Sequence, residues 1–381
     1  MTLGVDFVVI GAGIAGVSAA WALAEHGRVL VLEAEAQAGY HATGRSAALF
    51  HLIYGGPGVQ PLSRASLEFF RAPPAGFTEV DLLRTRGILI VARSGQEADL
   101  GAKVAEAPDA LRVVTAGEAR QLWPALRPGY VSAAAWDGSS ADIDVDALHR
   151  GFIRGLTERG STLRTGERVD QIERRRNGWR IRTPALSIEC GAVVNAAGAW
   201  ADENAVLAGV KTLGLRPKRR TAALIDAPAD ARDWPMLIDA AESFYAKPSA
   251  GRMLLSPAEE TDMEAHDAAA DDLALAEGVE RLEAATTLTV HRKPLAWAGL
   301  RTFTPDRLPA VGEAPDRCGF FWLAGQGGFG VQTAPALARL LASEVTGAPL
   351  PARWRDVGLS PDAYRPARLL SAQVSSHAPQ S

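Results

Sequence analysis

Cysteine is nearly absent from this chain, with only Cys190 and Cys318 among 381 residues. Two are too few for a disulfide framework, and no C-x-x-C or Cys/His cluster offers a zinc site. No charge of one sign dominates: 40 Lys and Arg face 44 Asp and Glu, a formal net charge of −4. That balance lacks the basic footprint of an electrostatic nucleic-acid binder. No apolar run approaches the roughly 18 residues of a membrane span, and the N-terminus has no basic region of a secretion signal. Internal repeats are absent as well. What is present is ordinary globular composition, 47% hydrophobic and 22% charged, which excludes disordered, collagen-like and coiled-coil chains. A cytoplasmic protein of two domains, or one elaborate one, is expected.

The first thirty-odd residues are the most informative. Asp6–Ile10 is a short apolar run rich in β-branched residues, the pattern of a buried parallel strand. Gly11, Gly13 and Gly16 follow in G-x-G-x-x-G spacing, then a helix-like stretch ending near Gly27, a second strand over residues 28–33, and Glu33 at its end. Gly11 permits the tight turn, Gly13 lets backbone approach a pyrophosphate, and Gly16 lets helix and strand pack closely. The helix N-terminus offers free N–H groups to the phosphates, and Glu33 is placed to accept from ribose hydroxyls. Strand, glycines, helix, strand and acid in that order predict a dinucleotide site.

After Glu33 comes a segment with little periodicity, in which Ala42, Thr43, Gly44, Ser46, Ala47 and Ala48 are small enough to lie against a flat cofactor. Arg45 is a candidate to neutralise phosphate charge. The plainer alternative is a loop capping a helix that starts near Ser46. Together, Gly11–Gly16, Glu33 and His41-Ala-Thr-Gly-Arg-Ser46 resemble the FAD-binding signature of the D-amino acid oxidase/glycine oxidase/sarcosine oxidase family, bacterial D-arginine dehydrogenases in particular. Val194-Asn-Ala-Ala-Gly-Ala-Trp200, Pro217-Lys-Arg-Arg220, Ser243-Phe-Tyr-Ala-Lys-Pro248, Trp297-Ala-Gly-Leu-Arg301 and Gln326-Gly-Gly-Phe-Gly-Val-Gln-Thr333 extend the likeness over essentially the whole chain.

The resemblance implies an α/β fold with a Rossmann-like FAD-binding domain, discontinuous in sequence, and an α+β substrate domain built on a mixed sheet. The expected division gives residues 1–80, 141–213 and 312–365 to FAD and residues 81–140 and 214–311 to substrate, with 366–381 a possibly disordered tail. Strand-like runs at residues 161–165, 192–195, 88–91 and 222–225 agree with it. An Ala/Asp-rich stretch over 264–275 reads as a surface helix. The acids Asp142, Asp144 and Asp146 have calcium-loop spacing, but Ala147 and Ile153 stand where that loop needs Gly and Glu. A helix N-cap at Asp144 or Asp146 is the better reading, and no metal is expected.

The implied reaction is oxidation of an amino acid C–N bond, with hydride passing from Cα to flavin N5 and the imine hydrolysing afterwards. FAD is expected to be non-covalent, since no cysteine closely follows Arg301. Besides Gly11, Gly13, Gly16, Glu33 and residues 43–48, the cofactor set comprises Ile14, Ala15, Ala34, Val169, Ala197, Gly198, Trp200, Gly327, Gly328, Gly330, Val331, Gln332 and Thr333. The last four would open a helix aimed at the flavin, whose dipole favours negative charge. Arg301 and Arg220 match the family's carboxylate-binding arginines, a role suited to a planar cationic fork; surface ion pairs are the alternative for each. Tyr54 and Tyr245 match tyrosines around the substrate, against plain core packing. Gly328 bares a carbonyl that can accept from the amine.

Two positions depart from the D-arginine dehydrogenase pattern. Leu49 replaces a histidine, and Ile88 replaces the glutamate that pairs with a guanidinium. An unpaired buried guanidinium is costly, so an apolar arm is expected, lined by Leu49, Ile88, Met236 and Ile238, with simple core packing the alternative for these four; His51 could touch flavin or substrate, and a solvated or structural histidine is the plainer reading. The substrate is then a D-amino acid or an N-substituted glycine releasing glyoxylate, with oxygen or another acceptor taking the electrons. Competing readings are an NAD(P)-binding reductase and an accessory flavoprotein subunit of a multi-chain amine dehydrogenase. Lys247 is expected to be structural or solvated.

Overall fold

A computed structural model describes residues 2–370. Its two main sheets are both assembled from separated stretches of chain. In the eight-stranded sheet, Thr2–Ile10 lies between Val29–Leu32 and Ser187–Asn195, both parallel to it. Thr162–Arg164 continues the parallel order beyond Val29–Leu32. On the other side, Ser187–Asn195 splits its partners. Its last residues pair in parallel with Arg317–Ala324, and its first pair antiparallel with Gly178–Arg182. Gln171–Arg175 and Ala310–Ala314 are the antiparallel margins.

The near-continuous apolar character of the central strands follows from burial on both faces. Val9, Val31, Val194 and Leu323 pack under the helices Ile14–Leu23, Val145–Glu158 and Gly330–Thr346. Val8, Leu30, Val193 and Trp322 face a second cluster with Trp179 and Phe320. Trp21, on the first helix, packs edge-on against Phe69, Phe77 and Phe152.

The nine-stranded sheet is mixed. Met236–Asp239 runs parallel to Ile88–Ala92, whereas Tyr245–Ser249, Arg252–Ser256, Arg216–Asp226 and Leu295–Phe303 form an antiparallel series. A three-stranded sheet of Leu49–Phe50, Ala141–Ile143 and Leu83–Thr85 sits at the junction of the two halves. The α/β class with a mixed second sheet is thus borne out.

Several local expectations are decided here. Asp144 caps the helix Val145–Glu158, its carboxylate accepting from the Ala147 N–H at 2.9 Å. Asp142 is taken by Arg86 and Lys247, each at 2.6 Å. The expected helix over 264–275 begins only at Asp272, because the Asp271 carboxylate accepts from the Leu273 and Ala274 N–H groups and fixes the start. The residues before it form a loop. No helix begins near Ser46; the chain there leads into the short strand Leu49–Phe50. The tail expectation needs correction as far as residue 370: Leu369 is buried in the first domain's core, and Arg368 is paired with Asp306. Residues 371–381 lie outside the described residues.

Candidate active site

The loop after the first strand has no room for a side chain at Gly11. Gly11 has φ +100°, and a Cβ there would lie 2.6 Å from the Ala196 carbonyl oxygen. A Cβ on Gly16 would collide with the Gly11 carbonyl, so the helix can start this close to the strand only with glycine. The helix N-terminus carries no acidic residue in its first turn, and the Ile14 N–H is met by Thr43 Oγ1 at 2.9 Å. Glu33 is held by two backbone donors, Ala12 N–H at 2.7 Å and Glu35 N–H at 2.9 Å. Below the loop, His149 Nε2 lies 2.9 Å from the Ala12 carbonyl. A carbonyl can only accept, so that nitrogen carries the proton, and burial keeps the ring's pKa below its ordinary value.

These elements open onto a cavity of about 700 Å³ between the two main sheets. Its wall on the first-sheet side includes Gly11, Gly13, Ile14, Ala15, Glu33, Ala34, Thr43, Val169, Ala197, Gly198 and Trp200. Arg45, Ser46, Ala47, Gly327, Gly328, Gly330 and Val331 also reach it. Gly16, Gly44, Ala48, Gln332 and Thr333 do not. Gly16 is close-packed within the first helix and Gly44 within a turn, and Ala48 takes the left-handed conformation at φ +54°. Gln332 and Thr333 turn their side chains inward, to the His51 backbone and Ser63 and to the Phe329 carbonyl respectively. They still contribute to the first turn of Gly330–Thr346. The glycine cradle, the helix N-terminus free of acidic residues, the carboxylate of Glu33 and the cavity's size fit a long dinucleotide such as FAD.

Arg45 has a different role from the one expected. Its guanidinium is spent on Asp267 at 2.5 Å and on the carbonyls of Ala298 and Ala268 at 2.8 and 3.2 Å. Asp267 also accepts from the Tyr40 hydroxyl at 3.0 Å, so the loop before Asp272 is tied across the loop that carries Thr43. His41 adds to this rim, paired with Glu35 at 2.9 Å and packed on the Trp200 ring at 4.6 Å. Sequence reasoning missed Asp267, His266 and Ala268 because Ala/Asp composition there resembles a solvated helix; the cap at Asp271 was the available signal. His149 was missed because a lone histidine on a helix carries no pattern.

On the second-sheet side the wall carries Arg220, Ala222, Tyr245, Gly299 and Arg301. Lys218 pairs with Arg301 and Arg220 with Gly299 across neighbouring strands, which places both arginines on one face. Arg219 points oppositely, to Asp271. Arg301 Nη1 donates to the Tyr54 hydroxyl at 3.0 Å, and among the described residues no carboxylate lies within ion-pair distance of it. Burial works against its charge, but the oxygens of Tyr54 and Tyr245 and the Glu260 carboxylate more than compensate and hold its pKa above the ordinary value. Burial alone would raise the Tyr245 phenol; Arg301, Arg220 and a hydrogen bond with Ser256 reverse this, and its pKa falls. Gly328 faces the same group: a Cβ there would strike the Tyr54 hydroxyl and lie 2.8 Å from Arg301 Nη1. Tyr54 itself stands behind the wall.

None of Leu49, His51, Ile88, Met236 and Ile238 forms part of that wall. Ile88 and Met236 are buried in an apolar cluster that also holds Tyr245, and Leu49 and Ile238 pack against it. His51 is buried with Nε2 3.6 Å from Asp137, and burial lowers its pKa to about 4 despite that carboxylate. Lys247 is structural: it is buried beside Asp142, and desolvation lowers its pKa. Neither cysteine reaches the cavity; Cys190 is buried and Cys318 exposed. No helix among the described residues is long and apolar enough to cross a membrane.

The fold and the cradle define a dinucleotide-dependent oxidoreductase of the flavin type. Residues 6–344 match the DAO family of FAD dependent oxidoreductases, and the chain belongs to that family. It is an FAD-dependent oxidoreductase, and the NAD(P)-binding alternative falls. The chain is 30% identical over 367 residues to the tRNA 5-methylaminomethyl-2-thiouridine biosynthesis bifunctional protein MnmC of Thiobacillus denitrificans, covering 90% of this chain but only 56% of that protein. It is 27% identical to the uncharacterized oxidoreductase YurR of Bacillus subtilis, over 96% of this chain and 100% of YurR. Glycine oxidase from Geobacillus kaustophilus superposes with a TM-score of 0.80 at 22% identity, over 92% of this chain and 96% of that one, a likeness of fold.

Proposed function

We propose that this protein oxidises the C–N bond of a small amino acid that bears an apolar arm, either a D-amino acid or an N-substituted glycine. The observation that carries the reading is Arg301, a half-buried guanidinium on the cavity wall with a tyrosine hydroxyl but no acid within ion-pair distance. Such a charge is costly unless an anion completes it, and a substrate carboxylate supplies that anion. Among the relatives, glycine oxidase and dimethylglycine dehydrogenase act, by name, on glycine and on an N-substituted glycine, which supports the amino acid class.

Residues 1–80, 141–213 and 312–365 would hold FAD, with Glu33 toward the ribose and the first turn of Ile14–Leu23 toward the phosphates. FAD, when bound, supplies the two-electron acceptor for the α-hydride. Residues 81–140 and 214–311 supply the opposite face. Arg301 binds the carboxylate through two parallel N–H donors, and Tyr54 fixes that fork from behind. The Tyr245 hydroxyl donates to the same carboxylate, and the bare backbone at Gly327–Gly328 accepts from the amine. Apolar residues behind Tyr245 offer no counter-charge to a cationic arm. The imine product hydrolyses in water, giving glyoxylate from an N-substituted glycine.

The test is the visible spectrum of the purified holoprotein, recorded anaerobically with D-leucine, D-arginine or an N-alkylglycine. Bleaching by D-leucine or the N-alkylglycine and not by D-arginine is expected. Bleaching by D-arginine alone, or by none of the three, overturns the reading.

A further inference from the structure

The two arginines on the second-sheet side of the cavity are not equivalent. Arg220 Nη2 donates to Glu260 Oε1 at 3.1 Å, and its Nε donates to the Glu259 carbonyl at 2.8 Å. Glu260 is itself fixed from outside: both terminal nitrogens of Arg307 lie 3.0 Å from Oε2, and Arg307 is stacked over the Phe303 ring at 4.0 Å. Glu260 lies off the wall, so substrate meets Arg220 and never the carboxylate that restrains it. Arg301 has no such partner. Of these two arginines, one is matched within the protein and one is left for substrate.

We propose that Glu260 determines specificity for a single carboxylate, by holding Arg220 so that it cannot serve a second acidic group on the substrate. The inference rests on the amino acid oxidation proposed above and deepens it. A dicarboxylate substrate would bring its second anion toward an arginine already bound to an anion. That arrangement either breaks the Arg220–Glu260 pair or places like charges together. A monocarboxylate with an apolar arm meets neither cost. Glu260 acts through Arg220 and is a positioning residue.

Glu260→Gln keeps the shape and removes the charge. Two readouts use the holoprotein: binding of acetate and malonate, followed by perturbation of the flavin visible spectrum, and kcat/KM for N-methylglycine against iminodiacetate. In the wild type, malonate binds no more tightly than acetate. In Glu260→Gln, malonate binding tightens relative to acetate by about tenfold, the scale of one charge-assisted hydrogen bond, and the iminodiacetate preference rises in step. Glu260→Asp retains the wild-type preference, and so does Arg307→Gln, which leaves the carboxylate wholly to Arg220. Unchanged ratios in Glu260→Gln overturn the proposal. So does malonate binding tenfold tighter than acetate in the wild type, a result that needs no variant to fold. Failure of the underlying reading looks different: neither anion perturbs the spectrum, and neither amine is oxidised.

Discussion

At the scale of single residues, the site is decided by what surrounds each charge. Arg301 owes its importance to the absence of an acid beside it; Arg220, a short way along the same sheet face, is already paired. Arg301→Ala should therefore lower kcat/KM at least 100-fold, about 3 kcal/mol on the scale of a lost buried charge pair, while FAD remains bound. Retained kcat/KM in a steady-state assay would remove Arg301 from the carboxylate. His51 offers a second test. Burial lowers its pKa from 6.5 to about 4; Asp137 and Glu242 oppose the shift, whereas Lys103 reinforces it. The unfolded chain protonates His51 near 6.5 and the folded chain only near 4, so between those values the unfolded state binds more protons. Stability present above pH 6.5 is lost as pH falls toward 4. His51→Gln should show a smaller loss of urea midpoint between pH 7 and pH 4.5 than the wild type. An equal loss would assign the acid sensitivity to other groups.

At the scale of elements, what was legible in the sequence had a local cause. The strand–glycine–helix–strand order at the N-terminus is dictated by residues within one stretch of chain, and the structure places Gly11 and Gly16 where side chains cannot go. Gly16→Ala sets a methyl group against the Gly11 carbonyl and must push the helix Ile14–Leu23 off the strand. The purified variant should lose bound FAD, seen as a lower ratio of visible to ultraviolet absorbance, and its thermal midpoint should fall. Full FAD occupancy would mean that the loop can relax. Less legible were features set by distant partners. Arg45 suggested a phosphate ligand because its neighbours in sequence are small, yet Asp267 claims it across more than 200 residues. Ile88 and Met236 occupy positions where the family resemblance suggested a substrate arm, but strand pairing buries them behind Tyr245. Composition identified them as apolar and left open whether they meet the substrate or the core.

At the scale of the whole molecule, the cavity between the sheets determines how cofactor and stability are linked. Its wall draws on both halves of the chain, from Glu33 and Trp200 on one side to Arg220 and Arg301 on the other. A ligand filling it binds the assembled molecule and has no comparable site on the unfolded chain, so FAD must stabilise the fold by mass action. At a free concentration one hundred times its dissociation constant the gain is about 2.7 kcal/mol. Stripping FAD and titrating it back, with the unfolding temperature followed by differential scanning fluorimetry, should give a midpoint that climbs with the logarithm of FAD concentration above saturation. Arg301→Ala should follow the same curve if, as proposed, its guanidinium serves the substrate side. Gly16→Ala should need far more FAD to reach the same midpoint, because its cradle is displaced. A midpoint independent of FAD in the wild type would mean that the ligand does not bridge the two halves, and the assignment of this cavity to the cofactor would fail.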